Sequence, residues 1–132
     1  MESIYKILEE NRGKVIYLDF WATTCPPCLA EMEPLKTLRS QYSTKDLIIY
    51  SICSGGNDTK KQWELCLDKY SMKNHDIECV YAADYIGLEN YQKITKQFKI
   101  NRLPYYILIN RKGQIIDYGA AARPSNPNLL LR

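Results

Sequence analysis

Apolar residues along this chain recur in two rhythms, and the alternation between them predicts its elements. Ile4, Ile7 and Leu8 are spaced as on one helix face, which predicts a short amphipathic helix over 3–11, closed by Gly13 as a helix stop. Residues 14–20 form a continuous apolar run, the pattern of a central strand covered on both faces. Leu29, Met32, Leu35 and Leu38 share one face of a helix predicted from Pro26 to about Gln41, and Pro34 inside it should kink it. A second buried strand is expected over 47–52, followed by turn chemistry at 54–58. Asp58 or Thr59 can cap a third helix, roughly 60–71, with Trp63, Leu67 and Tyr70 inward.

A short strand is expected at 77–81, then a fourth helix over 87–98 with Leu88, Tyr91, Ile94 and Phe98 on its inner face. Residues 104–109 read as a third main strand. Asn110 to Gly113 suits a tight turn, and 114–118 returns as an antiparallel partner. The tail, 123–132, carries Pro124 and Pro127 and offers too few residues for a helix. Strands alternating with helices imply an α/β fold with right-handed crossovers and a mostly parallel sheet, here ending in an antiparallel edge hairpin. No repeat, low-complexity segment or linker divides the chain, so 1–132 reads as one domain.

Composition narrows the function classes. The apolar share of 45% and charged share of 25% are those of an ordinary globular protein. The net charge of +3 is small and its cations are scattered, which argues against nucleic acid. No apolar run approaches the ~20 residues of a bilayer span, and no signal peptide is visible at the N-terminus. That leaves open a cytosolic chain or a domain whose export signal lies elsewhere. Five cysteines is an odd count for a disulfide scaffold, so one pair is reserved for chemistry. Cys53 reads as a buried structural thiol, and Cys66 and Cys79 have the option of bridging one another.

The pair is Cys25-Pro26-Pro27-Cys28, placed where an apolar strand turns into a helix. Free N–H groups and the positive end of a dipole favour a sulfur anion there, so the motif reads as a redox dithiol. Cys25, ahead of the helix, is the candidate nucleophile; Cys28, one turn in and mostly covered, is the candidate resolving thiol. Pro is favoured at a helix start, but neither proline has an N–H, so only Cys28 can donate to the Cys25 sulfur. The expectation is a thiol less acidic than in motifs with Gly or His after the first cysteine, and a more reducing pair. A zinc site would need a second cysteine or histidine pair at suitable spacing, and His75 stands alone, so no metal is assigned. The electrons stay on the cysteines, so no cofactor is implied.

Tyr17-Leu18-Asp19-Phe20-Trp21-Ala22-Thr23-Thr24-Cys25-Pro26-Pro27-Cys28 resembles the active-site signature of the thioredoxin superfamily, and Trp-Ala-Thr with Pro-Pro resembles its TlpA/ResA-like branch. The segment from Phe98 to Gly113 resembles the family stretch that holds a cis-proline, a strand and a Lys-Gly hairpin. The resemblance runs from about 13 to 127. It implies a thioredoxin-like fold with a helical insertion around 57–85; against that pattern the C-terminal helix is expected to be short or truncated. It implies that Pro104 is the cis-proline beside the dithiol, which frees the Leu103 backbone to pair with substrate. It implies that Asp19 is the buried acid that takes the Cys28 proton. Trp21, Thr24, Pro26 and Pro27, with Leu103, Pro104 and Tyr105, would then face the substrate. Departures are Thr24 where Trp is usual, Arg102-Leu103 where Gly-Val or Gly-Ile is common, and Pro34 one position late.

The expected activity is therefore thiol-disulfide exchange, as a disulfide reductase acting as a monomer on protein thiols and disulfides, with an upstream electron donor or acceptor protein. The alternative is a redox-sensing or partner-binding thioredoxin-like domain without turnover. The branch resemblance tilts the expected location to the bacterial periplasm or cell envelope, with the cytoplasm as the other option. Glu31 and Glu33 are read as solvated carboxylates near the helix start.

Overall fold

A computed structural model describes residues 2–54 and 59–129, with side chains from residue 5 onward. The turn at 55–58 with the candidate cap Asp58, the Ile4 side chain and residues 130–132 lie outside the described residues. Helix α1 (Glu2–Glu10) leads into β1 (Val15–Trp21), with Gly13 at a φ of 83° in the link. Then follow α2 (Pro26–Ala30), α3 (Met32–Ser40), β2 (Leu47–Cys53), α4 (Lys60–Lys69) and β3 (Glu78–Tyr81). The order ends with α5 (Ala82–Tyr85), α6 (Leu88–Gln97), β4 (Tyr105–Ile109), β5 (Ile115–Gly119) and a 3-10 turn at Ala120–Ala122.

The five strands form one mixed sheet in the order β3-β2-β1-β4-β5. β1, β2 and β3 are parallel; β4 runs antiparallel to β1, and β5 antiparallel to β4. Each strand sends alternate side chains to opposite faces. Val15, Tyr17 and Trp21 of β1 join Leu47, Ile49 and Cys53 of β2 and Tyr106 and Leu108 of β4 on the first face, under Met32, Leu35 and Leu38 of α3 and Leu67 of α4. Ile16, Leu18 and Phe20 join Ile52, Ile107 and Ile109 on the second face, against Ile7 of α1 and Tyr91 and Ile94 of α6. Both faces of the central strands are thus covered, which explains why they read as unbroken apolar runs rather than alternating ones.

The single helix expected over 26–41 is two. It breaks at Glu31, which sits at φ −90° and ψ 0° and serves as C-cap of α2 and N-cap of α3. Pro34 causes the break from three positions away: it lacks an N–H for the Ala30 carbonyl, and its ring crowds that carbonyl. The third helix starts at a capping box, with Gln62 N–H donating to the Thr59 hydroxyl and Thr59 N–H to the Gln62 side chain. The described part of the 57–85 insertion is more than helical, because β3 adds an edge strand and α5, absent from the periodicity reading, follows directly. Leu88, expected inward, is exposed, since Gly87 at a φ of 82° starts α6 with that position turned to water. Cys66 and Cys79 do not bridge; the one disulfide among the described residues joins Cys25 and Cys28. After β5 the described chain forms no further α-helix. It lies over the first face, where the Tyr17 hydroxyl donates to the Ala122 carbonyl at 2.5 Å and Leu129 packs on the core.

Two substitutions separate core from cap. Leu35→Ala, at 1% exposure, should cost about 2–5 kcal/mol, because its site keeps a cavity. Thr59→Ala should cost about 1 kcal/mol through the lost cap. Urea denaturation of both variants checks the order.

Candidate active site

β1 delivers the dithiol. Its last residue, Trp21, is followed by a tight turn in which the Cys25 N–H donates to the Ala22 carbonyl at 3.2 Å. Cys25 then takes the N-cap of α2 in extended geometry, and Pro26 and Pro27 fill the first two helical positions. The sulfur does what a serine oxygen does at such a position: it accepts the Cys28 N–H, at 3.2 Å. With both intervening residues prolines, that bond supplies the only amide of the first turn available to it within the motif. The Cα atoms of the bonded pair are 5.2 Å apart. Cys25 is half-buried and Cys28 is buried, while Thr24, Pro26 and Pro27 around them are exposed.

The sheet face that packs against Cys28 also carries one polar row through its apolar side chains. Register places Tyr106, Asp19, Ser51 and Cys79 side by side across β4, β1, β2 and β3. Asp19 is 8% exposed, and the Ser51 hydroxyl donates to its Oδ2 at 3.5 Å. Burial pushes the Asp19 carboxyl from its ordinary range up to about 7; the Ser51 hydrogen bond opposes this, and the Glu31 charge adds to it. Asp19 acts back on its row. Burial first, then the Asp19 charge, pushes the Cys79 thiol up to about 11 and holds the Tyr17 and Tyr106 phenols far above theirs. An acid with a pKa near 7 can take and return a proton at neutral pH, whereas Cys79 and the tyrosines stay neutral.

The β4 side of the site holds Leu103 and Pro104, joined by a cis peptide bond. Phe20 pairs with Tyr105, so Pro104 lies at the same sheet end as Trp21 and the dithiol. Leu103 packs against both core clusters. Two residues expected at the substrate surface sit elsewhere. Trp21 is 1% exposed and belongs to the core around Cys28, so it presents no open surface. Tyr105 turns to the second face, where its hydroxyl donates to the Phe98 carbonyl at 3.3 Å. Glu31 is not simply solvated: it is half-buried and accepts two hydrogen bonds from Ser125, whereas Glu33 is exposed beside Lys36. His75 is exposed in its loop.

Sequence reasoning missed Ser51, Cys79 and Glu31 as members of this neighbourhood. The first had a signal: Asp19 and Ser51 are the polar residues at the same offset in two seven-residue apolar strands. Parallel pairing in register brings them together.

Residues 5–130 match the Redoxin family model. Among curated relatives, the thiol-disulfide oxidoreductase ResA of Halalkalibacterium halodurans is 28% identical over 109 residues, covering 83% of this chain and 55% of its own length. The thioredoxin-like protein YneN of Bacillus subtilis is 31% identical over 110 residues, covering 83% of this chain and 58% of its own. The chain thus spans about half the length of the curated relatives it matches. A solution structure from Bacteroides vulgatus superposes with a TM-score of 0.68 at 35% identity, over 91% of this chain and 71% of that one. StoA from Bacillus subtilis superposes with a TM-score of 0.63 at 18% identity, over 81% of this chain and 73% of its own, a likeness of fold.

The raised Asp19 pKa has a stability consequence. The unfolded carboxyl, near 3.8, ionises before the folded one, near 7. The folded state therefore holds the extra proton between those values, and the stability present below pH 4 is lost as pH rises through 7. The loss should reach roughly 4 kcal/mol by pH 8, and Asp19→Asn should abolish that slope. Urea denaturation of the oxidised protein at pH 5 and pH 8 reads the part of this loss that falls between them, roughly 2.5 kcal/mol; parallel slopes in wild type and variant would contradict it.

Proposed function

Because the chain belongs to the Redoxin family, we propose that it carries out thiol-disulfide exchange on protein substrates, with Cys25 and Cys28 as the redox pair. The observation that carries this reading is the Cys25–Cys28 disulfide at a helix start, with Cys28 packed on the sheet face that also carries a buried acid poised near neutral pH. In the reducing direction the Cys25 thiolate attacks a substrate disulfide, and one substrate sulfur leaves as a thiolate and takes a proton. Cys28 gives its proton to Asp19 and attacks the Cys25 sulfur of the mixed disulfide. The Cys25–Cys28 bond forms, and the second substrate sulfur leaves and is protonated. The substrate gains two electrons, which an upstream dithiol protein restores to the pair.

Thr24, Pro26 and Pro27 form the exposed rim that meets the substrate. The Leu103–Pro104 segment, at the open end of β4, offers backbone to an extended substrate strand. The reading extends to the periplasm or cell envelope, which the resemblance to the TlpA/ResA-like branch supports. Among the described residues no helix is long and apolar enough to cross a membrane.

Insulin reduction with dithiothreitol as electron source tests the activity. Wild type should precipitate insulin well ahead of the uncatalysed control, and Cys25→Ser should fall to that control. No turnover by intact protein would favour the partner-binding alternative. The prolines give a second expectation, read by thiolate absorbance. Cys25 should titrate above about 5, the strongly depressed end of the known range. Pro27→Ala restores a capping N–H at the second helical position and should lower that value by about half a pH unit.

A further inference from the structure

At the sheet end opposite the dithiol, a cleft of about 490 Å³ opens between α1 and the 110–113 turn that joins β4 to β5. A cleft of that size suits a small molecule. Tyr5, Leu8 and Glu9 share one face of α1 and form the first wall, and Arg12 extends it past the helix end. The turn forms the second wall. Lys14 and Ile16, where the chain enters β1, lie between the two. The cleft therefore has two unlike ends. Tyr5, 59% exposed, and the half-buried Leu8 line one end with aromatic and aliphatic surface. The other end gathers Arg12, Lys14, Arg111 and Lys112 against one carboxylate, Glu9.

This cationic end is not a sample of an evenly basic surface. Its charges account for the whole formal net charge of +3, so the rest of the chain is balanced. Arg12 pairs with Glu9 at 3.7 Å, and both side chains are well exposed. Arg111 ties the two walls together: it donates to the Gly13 carbonyl at 2.9 Å and to Asp46 at 3.3 Å. A guanidinium carries more donors than those contacts use. Lys14 and Lys112 make no ion pair and no side-chain hydrogen bond among the described residues. We propose that this cleft binds a phosphate ester carried on a planar body. The phosphate accepts from Lys14, Lys112 and Arg111, and the body lies against Tyr5 and Leu8. Phosphate suits the cationic end because its several charged oxygens accept donors from both walls at once. A planar ring suits the other end because it stacks on an exposed tyrosine. The proposal does not rest on the thiol-disulfide reading. β1 starts at Val15 beside the cleft and ends at Trp21 beside the dithiol, a span of about 20 Å. A ligand held in the cleft leaves the dithiol open.

The test is a proton–nitrogen correlation titration of the oxidised protein with adenosine diphosphate, which needs no turnover and so stands apart from the insulin assay. It is run at about 0.15 M ionic strength, where diffuse surface attraction is largely screened. Saturable shifts should centre on the amides of Leu8, Lys14 and Lys112, with a dissociation constant of about 1 mM or below. Lys14→Gln and Lys112→Gln should each weaken binding about threefold. Tyr5→Ala, at an exposed site, should weaken it about tenfold through lost stacking. Glu9→Gln removes the opposing charge and should tighten binding about twofold. Pyrophosphate, which has the charge without the planar body, should shift the same amides but bind about tenfold more weakly. Shifts that fail to saturate by about 10 mM overturn the proposal, since the affinity would then be that of a solvated cationic face. Pyrophosphate binding as tightly as the nucleotide, or full affinity in both lysine variants, overturns it equally.

Discussion

One carboxyl group shut away from water is the constraint on which the rest of this structure turns. A carboxylate inside an apolar sheet face is costly unless it is hydrogen-bonded or stays protonated. Asp19 draws on both remedies in part. Ser51 supplies a single long hydrogen bond at 3.5 Å, which relieves the cost without removing it, and the remaining desolvation leaves the group near its midpoint at neutral pH. The neighbours are chosen accordingly: two phenols and a thiol that remain uncharged, so no second buried charge competes.

The helix break complements that chamber. Pro34 divides what would otherwise be one helix, and the five-residue α2 that results carries little beyond the dithiol. Its first turn has a sulfur as cap and prolines where amides would be. The two thiols thus sit in different settings. The outer one accepts the N–H of Cys28, and the inner one packs on the sheet face that carries the buried acid. The same break turns Glu31 out of helical register, into reach of the tail.

Much of this was legible in the chain, for identifiable reasons. Strands β1, β2 and β4 announce themselves because burial on both faces leaves no polar alternation to confuse with a helix. The dithiol and its strand-to-helix setting follow from local order alone. Pro104 and Asp19 came forward through the resemblance, since nothing in a lone Leu-Pro or a lone Asp fixes its neighbours. What escaped was set by register or distance. Leu88 has the right helical spacing, but Gly87 redirects the start of its helix. Trp21 is next to the motif in sequence, yet strand alternation turns it into the core. Tyr105 follows the cis-proline and by the same alternation faces away. The Glu31–Ser125 contact joins residues 94 positions apart and leaves no local trace.

The pairing of Asp19 with Ser51 also works as a lock on topology. Side chains in a strand alternate faces, so sliding β2 by one residue along β1 would send Ser51 to the second face and leave Asp19 among apolar neighbours with no donor. Most one-residue slips in an apolar sheet exchange one aliphatic contact for another and cost little selectivity. Here a slip would strand a buried acid, so the wrong register is penalised where the right one is merely tolerated. The pair that tunes a proton thus also tells the two central strands how to align.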